Sequence, residues 1–352
     1  MKKVTIREVA ERANVHYSTV SLALHDNPRI PKKTRLRIQN LAKKMGYSPD
    51  PMLNALSAYR RRNNSRPYEA TLAWFNNHPV TPKSYNQCPF PEYLEGARLK
   101  ALKLGYKIEE FKLQKNGYSP KRLHSILKAR NIRGILIQPQ PTGISQIDFN
   151  FDDFSAVTFG YSLLEPRLHM VCPDQYQQMR LMLEKLRKIG YTRIGFELTE
   201  GFESRCSHNW EAAYWVDYYR QPKKNRLSPL VLQPRCHLEF DSFEKWLSKE
   251  KPQVIVSTSA SEVIQEYLYR MKLEIPNDIG LVRHSVSSTD SKSTGIYENG
   301  LLLGSNAVDL LVSMLNNQTY GVPEIPQRLL ITGNWKPGKT ILHDRQLIKS
   351  TC

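Results

Sequence analysis

The sequence predicts two kinds of architecture in one chain. An N-terminal all-α helix-turn-helix domain of three helices with a hinge helix is followed by a larger α/β body of two lobes with doubly wound parallel sheets. Three observations predict this. Residues 4–29 read as two short helices joined by a tight turn, basic charge is concentrated at the N-terminal end, and an alternation of strands and helices starts near residue 68.

The first helix has a sharp start signal, because Thr5 and Glu8 form a T-x-x-E capping box. Ile6, Val9, Ala10 and Ala13 then fall on one helical face, and Asn14 and Val15 interrupt the pattern. The next helix has Val20, Ala23 and Leu24 on the side expected to be buried. Its open side shows His16, Tyr17, Ser18, Thr19 and Ser21, all hydrogen-bonding types. A second helix that is polar on its open face fits the major groove of DNA, where it can read base edges from its N-terminal end. A third helix, from about Pro31 to Met45, has Ile38, Leu41, Ala42 and Met45 as its apolar stripe and Gly46 as its stop. Pro31 supplies no side-chain cap but suits a first helical turn.

Charge separates this reading from an ordinary helical hairpin. Residues 1–66 hold 15 Lys and Arg against four acids, an excess of 11 within a chain whose formal net charge is +18. An excess so lopsided is the footprint of a phosphate-binding module, whereas a solvated face would mix both signs.

The segments VTIREVAERANV, STVS, NPRI, TRLRI and MGYSPD, and the ALS at 55–57, resemble the N-terminus of the lactose-repressor (LacI/GalR) family of bacterial transcription regulators. The match is dense and ungapped over residues 1–60, and the rest of the chain resembles the family in layout more than in residues. The resemblance implies that Tyr17, Ser18 and Ser21 are the main base readers, with Leu22 beside them. It implies phosphate contacts by Thr5, His16, Thr19, Asn27, Arg29, Lys33 and Thr34. Leu22 stands where many relatives have Arg, the commonest reader of guanine, so the operator is expected to differ at that base pair. Asp50 and Pro51 suit the start of a helix about two turns long. Leu56 aligns with the family's minor-groove leucine, with Leu53 and Asn54 on the same hinge segment; such a side chain wedges between base pairs and kinks the duplex.

The body alternates strands (70–77, 107–113, 134–139, 155–160, 193–199, 229–234, 253–258, 279–285) with helices (92–106, 120–130, 175–189, 207–219, 241–249, 261–271). The resemblance implies a periplasmic-binding-protein-like architecture that closes on a ligand, with the helix at 300–315 returning the chain to the first lobe. The expected division is a DNA-binding domain 1–48, hinge and linker 49–67, a two-lobed effector-binding and dimerisation domain 68–340 and a tail 341–352. The lobes are expected at about 68–160 plus 290–320 and 161–289 plus 321–340. Sugar-binding relatives carry an Asp after the fourth strand, an Arg before a second-lobe helix, an Asn-Asp and a Gly-[FY]-Asp-Asp. Here those places hold Gly160, the His208–Trp210 region, Ser259–Ala260 and Arg283–His284–Ser285–Val286. Candidate effector contacts are Tyr85, Phe90, Gln138, Tyr161, Arg205, Asn209 and His284, at loop or strand-end positions. Arg205 with aromatic neighbours suits a charged or saccharide ligand.

Other signals lead elsewhere. Residues 333–340 spell G-x-x-x-x-G-K-[ST], but the phosphate-binding loop of that spelling needs a helix after it, and only twelve residues follow Thr340. The five cysteines are odd in number and widely spaced, nine histidines show no metal-ligand spacing, and no catalytic constellation stands out. No cofactor or metal is expected. Without an apolar leader or a bilayer-length apolar run, a cytoplasmic protein is expected. The expected partners are duplex DNA bearing a near-palindromic operator, a small-molecule effector that is a sugar or related metabolite, and a second copy of the chain. A sugar-binding protein without a role at DNA is the alternative, and the basic N-terminal segment counts against it.

Overall fold

The computed structural model describes residues 4–24, 30–47, 70–77, 90–113, 118–141, 146–199, 201–232, 239–259 and 261–342. It forms two compact units, Met1–Glu69 and Ala70–Cys352.

The first unit contains α1 (Ile6–Ala13), α2 (Tyr17–Leu24) and α3 (Lys32–Lys44). The capping box is formed: the Thr5 amide donates to Glu8 Oε2 at 2.7 Å and the Glu8 amide donates to Thr5 Oγ1 at 3.3 Å. Asn14, at φ 52°, ends α1 in the left-handed region that asparagine tolerates. Val9, Ala10, Ala13, Val20, Ala23, Ile38 and Ala42 are buried together as one core. α3 also fastens the C-terminal ends of its partners, because Arg37 donates to the Ala13 carbonyl (3.2 Å) and Gln39 to the Ala23 carbonyl (2.9 Å). Pro31 holds the N-cap position of α3 without a side-chain bond. Gly46 (φ +71°) reverses the chain at the other end, with the Tyr47 amide on the Ala42 carbonyl.

The second unit is built from β1 (Ala70–Asn76), α4 (Phe90–Lys103), β2 (Tyr106–Lys112), α5 (Pro120–Ala129), β3 (Gly134–Ile137), β4 (Ser155–Phe159), β5 (His169–Pro173), α6 (Gln175–Ile189) and β6 (Ile194–Thr199). It continues with α7 (Phe202–Arg205), α8 (Asn209–Arg220), β7 (Leu230–Leu232), α9 (Glu239–Glu250), β8 (Val254–Ser257), α10 (Ser261–Arg270), β9 (Gly280–Arg283), β10 (Thr294–Tyr297), α11 (Gly300–Asn316), β11 (Arg328–Ile331) and β12 (Asn334–Lys336). The first sheet runs β11-β5-β4-β3-β1-β2 and is parallel throughout. The second runs β12-β10-β9-β8-β6-β7, parallel except at the β12 edge. The central strands β3, β4, β5 and β8 are buried along their whole length, as parallel strands covered by helices on both faces must be.

The lobes divide later than expected. β5 pairs with β4, so the first lobe continues to Pro173 rather than ending at 160. β10 pairs with β9, so the second lobe runs through Tyr297, and the chain returns once more for β11 in the first sheet and β12 in the second. Both lobes are therefore discontinuous, joined by crossovers at 173–175, 297–300 and 331–334. The helix expected at 92–106 stops at Lys103, because the turn at Leu104–Gly105 feeds β2 directly.

α11 returns to the first lobe and packs on α4 at very close range. A Cβ on Gly304 would lie 1.9 Å from the Tyr93 carbonyl oxygen, and one on Gly96 would lie 2.0 Å from that of Leu301. Only glycine permits this backbone approach.

The 333–340 turn is occupied structurally. The Gly338 amide donates to Thr294 Oγ1 (3.1 Å), the Lys339 amide to the Lys292 carbonyl (2.7 Å), and Thr340 Oγ1 to the Leu281 carbonyl (2.6 Å). Its donors serve the sheet edge and are not gathered toward a phosphate.

Candidate functional site

In the first unit, α2 buries Val20 and Ala23 and turns its other face outward. Tyr17 is 51% exposed, His16 and Ser18 are exposed, and Thr19, Ser21 and Leu22 are half-buried. His16 organises the helix start: its carbonyl accepts from the Thr19 and Val20 amides, and its Nδ1 lies 2.8 Å from Ser18 Oγ. Its ring sits 4.3 Å from that of Tyr17, centroid to centroid. Lys33 is exposed and Thr34 half-buried on the first turn of α3. Thr5 is exposed, but its hydroxyl is engaged with Glu8. Asn27, Arg29, Leu53, Asn54 and Leu56 lie outside the described residues.

In the second unit, a cavity of about 390 Å³ opens between the lobes. Its lining comes from the carboxyl ends of strands, where α/β sheets hold ligands. Pro139 follows β3, Gly160, Tyr161 and Ser162 follow β4, and Thr258 and Ser259 follow β8; Arg283, His284 and Ser285 end β9, and Glu298 follows β10. Phe202, Arg205, Cys206 and Trp210 of the α7–α8 turn form the second-lobe wall, facing Phe90 and Tyr93 of α4.

Phe90, Tyr161, Arg205 and His284 thus meet in one place. Gln138 and Asn209 do not line the cavity. Gln138 is fully buried behind Pro139 and accepts from Trp74 Nε1 at 3.0 Å. Asn209 donates to the Cys206 carbonyl (2.8 Å) and to Gln175 Oε1 (3.3 Å), securing the start of α8. Tyr85 lies outside the described residues. Tyr93, Trp210 and Glu298 also line the cavity and were not among the candidates, since their convergence depends on where the chain crosses between the lobes.

The electrostatics of the lining follow from burial. His284 packs against Phe202 (centroids 4.9 Å) and Trp210 (5.7 Å), and its Nδ1 lies 3.2 Å from the Ser257 carbonyl. Burial, helped by the adjacent Arg283 charge, pulls its pKa down to about 4, so the ring is neutral at physiological pH. Burial pushes the Glu298 carboxyl up to about 7, although Tyr93 Oη donates to its Oε2 at 3.1 Å. Arg205 donates across the cleft from the second lobe to the Gln140 carbonyl of the first. That carbonyl belongs to a well-fixed residue, since Asn77 donates to Gln140 Oε1 (2.6 Å) and the Gln140 amide donates to Ser162 Oγ (2.7 Å). Cys172 and Cys206 are buried free thiols raised in pKa chiefly by burial, which makes them inert packing groups rather than nucleophiles. Among the described residues, no helix is long and apolar enough to cross a membrane.

A helix-turn-helix unit with an exposed polar second helix, on one chain with a two-lobed, periplasmic-binding-protein-like body, is the layout of a DNA-binding transcription regulator. The description "Bacterial regulatory proteins, lacI family" matches residues 5–50, the segment that holds α1, α2 and α3. It is 29% identical over 299 residues to the HTH-type transcriptional regulator DegA of Bacillus subtilis (strain 168), covering 80% of this chain and 81% of that protein. It is 37% identical over 62 residues to the "Probable HTH-type transcriptional repressor ExuR" of the same organism, a match spanning 18% of each chain. Two solved structures share the fold. A transcriptional regulator CelR–cellobiose complex aligns with a TM-score of 0.54 at 15% identity, over 96% of this chain and 100% of that one. The lac repressor dimer bound to operator and the anti-inducer ONPF aligns with a TM-score of 0.53 at 17% identity, over 96% and 99%.

Proposed function

We propose that this regulator binds a near-palindromic operator as a homodimer and represses transcription in the cytoplasm. On this reading Tyr17, Ser18, Ser21 and Leu22 read bases, and Thr5, His16, Thr19, Asn27, Arg29, Lys33 and Thr34 hold phosphates. Leu56, with Leu53 and Asn54, enters the minor groove between the half-sites. A small metabolite in the interlobe cavity changes the spacing or order of the two DNA-binding units and so the operator affinity. The chain acts by binding and not by catalysis.

The carrying observation is α2 itself, a helix that buries Val20 and Ala23 in its own small core while turning Tyr17 and Ser18 outward within a strongly basic segment. The operator-bound lac repressor dimer and the cellobiose-bound regulator support carrying the partner and ligand roles over to this chain. The test is selection of genomic fragments by the purified protein at physiological salt with competitor DNA. Enrichment of one short near-palindrome is the expected result, and retention of fragments without any common sequence sinks the reading.

A further inference from the structure

The interlobe cavity holds more positive charge than a neutral ligand requires. Arg205 and Arg283 both line it, against one lining carboxyl among the described residues, Glu298. Glu298 is already engaged by Tyr93, and His284 adds no charge at neutral pH. Among the described residues, no carboxylate pairs with Arg283 within ion-pair distance. Its Nε is buried without a hydrogen bond. Asp290 is close enough to sense its charge, yet that carboxylate accepts from the amides of Lys292 (2.8 Å) and Ser293 (2.9 Å) instead. A partly buried guanidinium with an unsatisfied donor is costly, and a planar carboxylate relieves that cost with two parallel hydrogen bonds. The wall also presents aromatic rings, Tyr161 from the first lobe and Phe202 and Trp210 from the second, beside hydroxyls such as Ser162, Thr258 and Ser259. A volume of about 390 Å³ is near the small end of ligand pockets and suits one ring rather than two.

We infer that the cavity recognises a small ring-bearing monocarboxylate, whose carboxylate lies between Arg283 and Arg205 and whose ring lies among Tyr161, Phe202 and Trp210. This rests on the reading of the cavity as the effector site. It sets the chain apart from a neutral-sugar binder. Where the sugar-binding pattern has Gly-[FY]-Asp-Asp, this chain has Arg283–His284–Ser285–Val286, losing two acids and gaining a cation.

The test is calorimetric titration of the full-length protein without DNA, using matched pairs. Glucuronate is compared with glucose, benzoate with benzyl alcohol, and inorganic phosphate is run alone; the two pairs distinguish a sugar acid from an aromatic acid. The expected result is saturable binding of at least one acid, tighter than its neutral partner by roughly tenfold or more, the value of a charge-assisted pair. R283Q is expected to erase that preference while keeping the wild-type melting temperature, and R283K to retain part of it. Three results overturn the inference: equal binding of acid and neutral partner, an acid preference that survives in R283Q, or no saturation by either acid up to about 50 mM, far above the range expected for fragments of this size. Phosphate binding more tightly than both acids overturns the carboxylate assignment. Because no DNA is present, a failure here is separate from a failure to select an operator.

Discussion

Tyr93 donates a 3.1 Å hydrogen bond to Glu298, and through it α4 of the first lobe grips the strand exit of the second. The carboxyl is enclosed. Tyr93 and Glu92 face it from α4 and Ser285 faces it from the end of β9, with burial the largest influence and the Glu92 charge adding to it. The sign of its pH dependence follows. A carboxyl whose folded pKa is about 7, against 4.5 for the free group, favours the folded state fully below pH 4.5 and loses that advantage as pH rises through about 7. Glu203, raised to about 7 chiefly by burial, acts in the same window and direction. Glu109 and Asp153, both lowered by partners, act in the opposite direction and only in acid. His284, lowered to about 4, and His169, also lowered by burial, oppose the two raised carboxyls up to about pH 6.5, so melting temperatures are expected to fall as pH rises chiefly between about pH 6.5 and 8. E298Q should flatten part of that slope and leave the Glu203 share. An unchanged slope in E298Q would mean that Glu298 titrates normally.

Legibility followed the distance over which each feature is determined. The Thr5–Glu8 box, the break at Asn14 and the stop at Gly46 are local, and each formed where the residues indicated. The long βα units were visible because their strands are continuous apolar runs, as GILI at 134–137 and VIVS at 254–257 illustrate. Strands β5, β10, β11 and β12 were not visible. They are three to five residues long, and β11 and β12 pair with strands far back along the chain. The lobe boundaries moved with them. The cavity shows the same division. His284 and Arg205 stood out by chemistry, whereas Glu298 lines the cavity only because β10 joins the second sheet and the chain then crosses over. Asn209 had the right chemistry, but its amide is consumed by the turn it sits on.

The contact between α4 and α11 should be the least tolerant place in the first lobe. A Cβ at Gly304 would fall 1.9 Å from a backbone oxygen and 2.6 Å from the Ala97 nitrogen, neither of which can rotate away. G304A is expected to cost about 1–3 kcal/mol or more through overpacking. A chemical denaturation curve reads this directly. Gly321, with nothing closer than 4.0 Å, provides the contrast: G321A should carry only the backbone penalty of its φ of +85°. Equal losses at the two positions would show that the helices can move apart.

The capping box predicts a coupled loss in the first unit. T5A removes an acceptor for the Glu8 amide and E8A removes the acceptor for the Thr5 amide, so each should cost about 1 kcal/mol. The double variant should cost less than the two together, because the bonds are reciprocal. Strict additivity in a double-mutant cycle would mean that the two bonds act independently. Thr5 is also a proposed phosphate contact, so its DNA affinity should fall by more than the stability loss accounts for.

Within the DNA-reading proposal, α2 and α3 should separate by the kind of loss. Tyr17 is half exposed at the start of α2, so Y17A should alter which sequences are selected. Lys33 is exposed on α3, so K33A should weaken all sequences alike and lower the salt slope by about one. Leu22 gives the sharpest contrast. It is half-buried on α2 and offers a base only apolar contact. L22R should move the preference at one base pair of each half-site toward guanine by about 1–3 kcal/mol, with the other positions unchanged. Selection of randomised duplexes by both proteins, read by sequencing, measures this. A symmetric change at one pair in each half-site would place Leu22 against the bases and support the two-fold arrangement. A uniform gain in affinity, with the sequence preference intact, would instead put the new guanidinium on phosphate and move Leu22 out of the reading set.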